Sequence, residues 1–397
     1  MTIIDSSSIL KAAEESKERM TSFLRDIIAI PSESGEEGEV VDRIIIEMEA
    51  VDFDEVFVDK IGNVIGRIGS GPNKLVYDSH IDTVGVGDPD SWKFDPFVGK
   101  IENGILYGRG ASDNKAAIAT MVHGAGIMKK LGLTDNCTLY VVGTVMEESC
   151  DGMAMQYLLT ETLKNIDAVV LGECTNLNIY RGHRGRMELK IDVSGVPCHA
   201  SAPDRGENAI YKMIPIINGI GKLNLEGLLD DEFLGKGTIA VTDIECKTGS
   251  RNTVPDKCTI YIDRRTTVGE DKERCLSELQ NIRGAEGAEV SILDYEAKSH
   301  TGFPVLYEKY FPTWCLDENH PLVLAGVKTV TEILGNKPEV GRWVFSTNGV
   351  SSMGRLGIPT IGFGPGEEKY AHTNEDQIKI DDLVSAIAFY AAFPAYI

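Results

Sequence analysis

The stretch Lys74–Thr83, which reads K-L-V-Y-D-S-H-I-D-T, is the feature that most limits how this chain can fold. It starts with the apolar run Leu75–Tyr77 and ends in polar residues, which predicts a buried strand whose far end opens into a site. His80 and Asp82 are two residues apart and share a face of an extended segment. One ring nitrogen would bind a metal ion while the other donates to the carboxylate. A surface pair or a structural histidine gives the same pattern, so this pair alone leaves both interpretations open.

The segments on either side of this stretch alternate between strand and helix patterns. Before residue 183 the strands are predicted at 55–58, 64–68, 75–79, 97–101, 105–107, 138–145 and 168–171, and the helices at 10–28, 41–48, 115–130 and 153–163. After residue 300 a helix is predicted at 322–334, strands near Val344 and at 359–363, and a last helix at 381–393. This alternation predicts an α/β domain with helices on both faces of a mostly parallel mixed sheet.

The middle of the chain follows a different order. It reads as a strand at 187–193, a helix at 208–222, strands at 237–246 and 257–265, a helix at 271–282 and a strand at 289–293. The order β-α-β-β-α-β is that of a ferredoxin-like α+β module. We therefore predict a discontinuous domain of residues 1–182 and 299–397, with a smaller domain of residues 183–298 inserted in it.

Composition excludes several classes of protein. The chain has 397 residues, 42% of them hydrophobic, which favours two domains with large cores. Its net charge of −22 argues against nucleic acid or an anionic membrane as a partner. Its eight cysteines include no C-x-x-C pair, which indicates reduced thiols in a cytoplasmic protein. We expect neither a signal peptide nor a membrane span, because the N-terminus lacks a basic and then apolar region and no run of about 18 apolar residues exists.

Residues of the types that bind metal ions recur where predicted strands end. They are His80, Asp82, Asp113, Glu147, Glu148, Glu173 and His372. Sheets of this class place their sites at the carboxyl ends of strands. Two histidines, two glutamates and a bridging aspartate would hold two divalent ions, and nitrogen with oxygen ligands favours Zn²⁺, with Co²⁺ or Mn²⁺ as alternatives.

The adjacent pair Glu147-Glu148 is informative because neighbours on a regular strand point to opposite faces. Both carboxylates can serve one site only if the strand has ended before them. One would then bind metal, and the other would act as the general base on water whose pKa the metal lowers to about 7. A solvated glutamate pair that opens a loop is the alternative.

Several motifs, in order along most of the chain, resemble the M20 family of dinuclear zinc peptidases and deacylases. They are H-I-D-T-V at 80–84, D-P-F at 95–97, L-Y-G-R-G-A-S-D-N-K at 106–115, E-E at 147–148, G-E-C-T at 172–175 and A-H-T at 371–373. The family includes acetylornithine deacetylase, succinyl-diaminopimelate desuccinylase and carboxypeptidases. The resemblance implies a catalytic domain of the zinc-exopeptidase type with an inserted ferredoxin-like lid domain.

The resemblance also implies a role for each of these residues. His80, Asp113 and Glu173 would hold one zinc ion and Asp113, Glu148 and His372 the other, with Asp113 as the bridge. Asp82 would orient His80, and Glu147 would be the general base. In the family the peptide bond after the bridging aspartate is cis, so Asp113–Asn114 is the candidate for this geometry. Position 173 is glutamate, as in the deacylases and carboxypeptidases of the family. The tripeptide-type aminopeptidases have aspartate there, so the resemblance to them is weaker.

The inserted domain would supply the substrate side, again by resemblance. His199, in G-V-P-C-H-A-S, would stabilise the oxyanion from across a homodimer formed through the lid domains. Arg265 would bind the substrate carboxylate through a bidentate guanidinium pair, with Arg264 as its competitor. The predicted substrate-binding set is completed by Asn252 and Gly364.

The leading functional hypothesis is a metal-dependent hydrolase of a peptide or N-acyl amide bond next to a carboxylate, acting on a small amino-acid-derived substrate. One alternative is a dipeptidase or aminopeptidase rather than a deacylase; another is a ligand-binding protein that has kept the fold and lost the chemistry. A nucleotide-binding enzyme is disfavoured, because neither glycine-rich turn is G-x-G-x-x-G or a P-loop. Asn348 stands where many family members have aspartate, and the run His183-Arg184-Gly185-Arg186 at the domain junction is unusually basic; we expect both on the substrate side.

Overall fold

The fold was analysed in a computed structural model that describes residues 5–397. This part of the chain forms eight α-helices, namely α1 (Ser6–Ile28), α2 (Gly38–Ala50), α3 (Lys115–Lys130), α4 (Met153–Tyr157), α5 (Ala209–Glu226), α6 (Lys272–Gln280), α7 (Pro321–Thr329) and α8 (Ile380–Ala392). None of them is long and apolar enough to cross a membrane.

Up to residue 183 the chain contributes nine strands, which are β1 (Glu55–Val58), β2 (Val64–Ile68), β3 (Asn73–His80), β4 (Lys100–Glu102), β5 (Ile105–Tyr107), β6 (Cys137–Thr144), β7 (Ala168–Leu171), β8 (Ile179–Tyr180) and β9 (Gly182–His183). From residue 185 to residue 315 it contributes β10 (Gly185–Ser194), β11 (Asp230–Asp231), β12 (Gly235–Lys236), β13 (Thr238–Glu245), β14 (Lys257–Thr266), β15 (Glu289–Ile292), β16 (Asp294–Lys298), β17 (Pro304–Glu308), β18 (Tyr310–Phe311) and β19 (Trp314–Cys315). The last strands are β20 (Val340–Gly341), β21 (Thr360–Gly362) and β22 (Gln377–Lys379).

The large sheet draws strands from both ends of the chain, in the order β1-β2-β6-β3-β7-β21-β8-β20. β3 runs parallel to both of its neighbours, β6 and β7, whereas β2 and β6 are antiparallel. The predicted mixed α/β sheet is confirmed, and the strand predicted at 75–79 lies in its middle.

Alternating side chains of β3 face two different apolar layers, as the period of two along a strand requires. Leu75 and Tyr77 belong to a core shared with α1, α3 and α8, and Val76 packs in a second core that contains Trp314 and Trp343. Helices on both faces leave the end of β3 at His80 as an edge that loops can surround.

The smaller sheet has the order β13-β14-β10-β15, with β18 pairing one end of β10, and α5 and α6 pack against it. This antiparallel order is the ferredoxin-like arrangement predicted from the sequence. The division at residues 183 and 298 stays a prediction, and β18 shows that a strand beyond residue 298 still pairs with this sheet.

The strand predicted near Val344 is wrong. The nearest strand is β20 at Val340–Gly341, and residue 344 itself lies in irregular backbone. Trp343 is buried in the second core while Val344 is 67% exposed. The apolar run Trp343–Phe345 therefore reflects one core residue beside residues that line a cavity, and not a strand.

Candidate active site

The predicted metal ligands come together at the carboxyl edge of the large sheet. His80 ends β3, Glu147 and Glu148 follow β6, and Glu173 follows β7, whereas Asp113 precedes α3 and His372 lies between β21 and α8. Because parallel strands end at the same edge, residues almost 300 positions apart along the chain surround one cavity.

The five predicted ligands form a continuous line of contacts with Asp113 at its centre. Nε2 of His80 is 2.9 Å from Oδ1 of Asp113, and Nε2 of His372 is 3.4 Å from Oδ2 of the same carboxylate. Glu173 Oε1 lies 3.6 Å from His80 Nε2, and Glu148 Oε2 lies 2.9 Å from His372 Nε2. Asp113 therefore presents a different oxygen to each histidine, and each histidine has its own glutamate.

The Glu147-Glu148 pair lies beyond the end of β6, so both side chains reach the same site. β6 ends at Thr144, and Met146 has a positive φ of 58° that turns the backbone. Ligand atoms of Glu147, His80 and Glu173 lie within 4.8 Å of one another. The expectation that the strand has ended before the glutamate pair is confirmed.

Asp82 contacts both His80 and the backbone turn that carries the glutamate pair. Its two carboxylate oxygens accept the backbone N–H groups of Glu147 and Glu148 at 3.1 and 3.0 Å, and the Ser34 hydroxyl donates to it at 2.6 Å. Nδ1 of His80 is closer to the Asp82 carbonyl oxygen, at 3.0 Å, than to its carboxylate, at 3.5 Å. The Asp82 side chain thus fixes the backbone that carries the two glutamates.

Burial controls the charge of the site. It raises the pKa of Glu147 and of Glu173 well above the ordinary value, and it also raises the pKa of Glu148. Burial by itself lowers the pKa of His80, but the nearby carboxylates of Glu173 and Asp113 outweigh it and raise that pKa well above its ordinary value. A group of buried carboxylates this close together is stabilised by cations.

Asp376 is a supporting residue that sequence reasoning missed. Its buried carboxylate accepts the backbone N–H groups of Gly110 and Ser112 at 2.7 and 2.8 Å, and Arg109 Nη1 is 3.2 Å away. These contacts hold the loop that leads into Asp113. The peptide bond between Asp113 and Asn114 is cis, as the resemblance implies. The sequence signal for Asp376 was its position four residues after His372, but nothing local connects it to residues 109–112.

Asn348 does not lie on the substrate side, and that expectation is wrong. It is 2% exposed, and its amide group donates to the Asp78 carboxylate and to the Thr144 hydroxyl, each at 2.9 Å. Its oxygen accepts the Gly152 N–H at 2.8 Å. Asn348 occupies the second core behind the sheet, where an amide can donate to Asp78 and an ionised aspartate could not. Burial raises the pKa of Asp78 to about 6.

The cavity beside the ligands has a volume of about 360 Å³ and is lined from both sheets. Arg265 and Arg186 line it from the smaller sheet, and Phe345 and Ser346 line it from the loop after β20. Arg264 instead is 1% exposed and forms ion pairs with Glu270 and Glu278 at 2.9 and 3.0 Å. Of the two competing arginines, Arg265 is the one that faces the cavity.

His199 and Asn252 lie together, but away from this cavity. Both are exposed, and the Ala200 N–H donates to the Asn252 carbonyl oxygen at 2.8 Å. They adjoin the end of the smaller sheet at which Ser194 pairs with Lys257. Arg265 lies eight residues along β14 from Lys257, which is about 27 Å on an extended strand. The structure therefore does not bring His199 or Asn252 to the site of their own chain.

Gly364 lies against the strand that carries Glu173. A Cβ atom there would fall 2.2 Å from the carbonyl oxygen of Gly172 and 2.4 Å from that of Glu173. Its N–H donates to the Thr175 hydroxyl at 2.9 Å, and it does not border the cavity. Close backbone packing accounts for a glycine here, and its substrate-binding role stays a prediction.

Comparisons with known proteins point to one family. The model of peptidase family M20/M25/M40 matches residues 76–395. The uncharacterized protein YgeY of Escherichia coli strain K12 is 48% identical over 97% of this chain and 96% of its own length. A probable succinyl-diaminopimelate desuccinylase of Staphylococcus epidermidis is 25% identical over 97% of this chain and 98% of its own length. The crystal structure of aminopeptidase PepT from Bacillus cereus superposes with a TM-score of 0.72 at 20% identity, covering 95% and 97% of the two chains.

Proposed function

The chain belongs to peptidase family M20/M25/M40, and on that premise we propose that it hydrolyses an N-acyl or peptide bond next to a carboxylate, with two metal ions bridged by Asp113. Membership makes it a metal-dependent amide hydrolase. The observation that carries the two-metal proposal is that Asp113 presents Oδ1 to His80 and Oδ2 to His372. One carboxylate between two histidine–glutamate pairs suits a bridging ligand.

The donor set fits divalent ions. The buried oxygens Oε1 of Glu147 and Oε1 of Glu148 have no hydrogen-bond partner in the described part of the chain. Imidazole and carboxylate ligands favour Zn²⁺, with Co²⁺ or Mn²⁺ as alternatives. We assign one ion to His80, Asp113 and Glu173 and the other to Asp113, Glu148 and His372. Ions bound there would polarise the substrate carbonyl and make water more acidic.

Glu147 is the proposed general base. It is 6% exposed and its backbone is held by Asp82, so its carboxylate has a fixed position beside the ligands. It would take a proton from the attacking water and later give it to the leaving nitrogen. The presence of Glu147 together with all five ligand types disfavours a protein that has lost the chemistry.

The substrate is small and carries a carboxylate. A cavity of about 360 Å³ is near the lower end of the range for small-molecule sites. Arg265 lines this cavity and would bind the carboxylate, while the attacked carbonyl would lie beside Asp113 and Glu147. The desuccinylase among the relatives acts, by its name, on an N-acyl amino acid. We therefore favour N-acyl amino acids over dipeptides.

A homodimer would complete the site. His199 and Asn252 are exposed at the far end of the smaller sheet. We propose that they serve the cavity of a second chain, where His199 would donate to the oxyanion. The eight cysteines are free thiols, which suits a reducing compartment such as the cytoplasm.

Metal content and hydrolysis together test this function. Elemental analysis of the protein should find about two divalent ions per chain, and Asp113→Ala should lose both because each depends on the bridge. The loaded protein should release amine from a panel of N-acyl amino acids and should stop when a chelator is added. A loaded protein that hydrolyses only dipeptides would correct the substrate class. One ion per chain, unaffected by Asp113→Ala, would overturn the two-metal assignment.

A further inference from the structure

Arg186 lies directly opposite Arg265 on neighbouring antiparallel strands. The two residues are paired in the register of β10 and β14, and both side chains line the cavity beside the predicted metal ligands. Directly opposed residues of an antiparallel pair point to the same face, with Cα atoms about 4.5–5.5 Å apart. Two guanidinium groups therefore face one small cavity from the same side.

Like charges in this position repel each other unless an anion lies between them or beside them. Asp263 forms a bidentate pair with Arg265, whose Nε and Nη2 donate at 2.8 and 3.1 Å. This pair occupies one full edge of the guanidinium. Asp263 thus holds the Arg265 guanidinium in one orientation, and the N–H groups on the edge formed by its two terminal nitrogens stay available to a substrate.

Arg186 has donors that no acceptor nearby binds at hydrogen-bond distance. Its contacts to Asp151, at 3.5 Å from Nη2, and to Glu188, at 3.7 Å from Nη1, are both longer than a hydrogen bond. Its Nε is buried without a hydrogen-bond partner among the described residues. A buried guanidinium donor without an acceptor is unfavourable unless a ligand supplies one.

The Arg186 side chain is also held in place. Its guanidinium carbon lies 4.5 Å from the centre of the Phe311 ring, and Phe311 is itself paired with Arg186 through β18 and β10. Packing of this kind fixes the plane of the fork and lowers the entropy lost on binding. The nearby Arg184 is directed elsewhere, since its Nη1 donates to the Lys236 carbonyl oxygen at 2.9 Å.

We propose that Arg186 and Arg265 bind one substrate carboxylate between them, so that Arg186 is a specificity-determining residue for substrates with a free carboxylate. The inference rests on the proposed function, because it assumes that the reacting amide lies beside Asp113 in the same cavity. It goes beyond the single arginine inferred from the sequence, and it predicts that neither arginine is sufficient alone.

Binding to an inactive, metal-loaded protein tests this directly. In a Glu147→Gln background, calorimetry would compare N-acetyl amino acids with their carboxamides for four proteins: the parent, Arg186→Met, Arg265→Met and the double variant. Each single variant should weaken carboxylate binding about 10- to 100-fold, the loss expected for a charge-assisted pair. The double variant should be little worse than either single variant, because the two arginines act on one group. Carboxamide binding should change by less than about threefold.

Lys190→Met is the matched control. Lys190 lies on the same face of β10, four residues or about 13 Å further along, and its contact within 4 Å is Asp192. This variant removes one positive charge from the strand without touching the cavity, so carboxylate affinity should stay within about twofold. Metal content and thermal unfolding of every variant show that the fold and the ligand set are intact.

The other outcomes have distinct meanings. If Arg265→Met weakens carboxylate binding and Arg186→Met does not, the inference is overturned while the proposed function stands. If the losses of affinity in the two single variants add up in the double variant, and only for ligands with two carboxylates, each arginine binds a separate carboxylate. This result also overturns the inference. If the parent binds carboxylates no better than carboxamides, or binds neither, both the inference and the proposed substrate class fail.

Discussion

The carboxylate of Asp82 accepts the backbone N–H of Glu148 through Oδ2 at 3.0 Å, while its other oxygen accepts the N–H of Glu147. One buried side chain therefore fixes the position of the proposed general base and of a proposed metal ligand. The residue that sequence reasoning assigned to orienting His80 also orients the opposite side of the site.

Asp82→Asn should weaken metal binding by about 10- to 100-fold, the usual effect of removing a group that orients ligands. The asparagine amide has one acceptor oxygen in place of the two of Asp82. Its NH₂ group is a donor and would face a backbone N–H or the Ser34 hydroxyl, which now donate to the carboxylate. Metal titration of the stripped protein measures the change. Ser34→Ala removes a donor and leaves both acceptor oxygens, so it should have a much smaller effect. Unchanged affinity in Asp82→Asn would contradict this role.

Exchange of each glutamate for glutamine should separate the roles of Glu147 and Glu148. Glu147→Gln should keep two metal ions and lower kcat by about 10²–10⁴, the contribution of a general base. Glu148→Gln should lose one ion, because Glu148 contacts His372 at 2.9 Å on the side away from Glu173. Elemental analysis together with kcat measures both. If Glu147→Gln loses the metal and Glu148→Gln keeps it, the two assignments are reversed.

Stability in acid should depend on Glu47, a buried carboxylate between α1, α2 and α3. Burial by itself raises its pKa, but the contact with His123 at 3.3 Å and the hydrogen bonds from Arg43 and Arg19 outweigh it and lower the pKa to about 2. The folded protein holds the pKa of Glu47 below its ordinary value of 4.5, so the ionised carboxylate stabilises the folded state above about pH 4.5. This stabilisation is lost as the pH falls toward about 2. At about 1.4 kcal/mol for each tenfold change in the acid constant, the contribution has an upper limit of about 3 kcal/mol, and solvent screening of the half-exposed Arg19 reduces it.

Urea unfolding of metal-free protein at pH values from 7 to 3 measures this contribution. The parent should be more stable than Glu47→Gln at pH 7, by up to about 3 kcal/mol, and the difference should shrink below about pH 4.5. Glu14→Gln removes an exposed carboxylate of α1 whose nearest cation, Lys17, is 3.7 Å away, and it should change stability by less than about 1 kcal/mol at every pH. A difference for Glu47→Gln that does not vary with pH would contradict the assignment.

Activity should require two chains. His199→Ala should lower kcat by about 10²–10³ through loss of the oxyanion donor, and Glu147→Ala should be inactive. When the two variants exchange subunits, each mixed dimer has one site with an intact Glu147 and the partner's intact histidine. Random exchange makes half of the dimers mixed, so about a quarter of the parent activity should return.

A mixture of Glu147→Ala and Glu173→Ala is the control for this exchange. Both changes affect the site of their own chain, so no mixed dimer has an intact site and activity should stay low. If the His199→Ala mixture also stays inactive although mixed dimers are shown to form, His199 does not act across the interface.

The sequence by itself determined the type of fold and predicted a set of candidate metal ligands. The apolar run Leu75–Tyr77 predicted the central strand, and the polar residues at its end predicted the site. The grouping of His80, Asp113 and Glu173 around one ion came from the family resemblance, and the common edge of parallel strands predicted only that His80 and Glu173 lie close together. The inserted domain followed from the order of its strands and helices.

Only the tertiary structure decided which residues support the predicted ligands and which individual side chains line the cavity. Asp376 holds the loop before Asp113, Asn348 lies behind the sheet beside Asp78, and Arg186 faces the cavity opposite Arg265. Each relationship joins residues about 80 or more positions apart in the sequence. A local pattern gives the spacing of side chains along a strand, but strand register and loop packing decide what lies opposite each one, and these are set by long-range contacts.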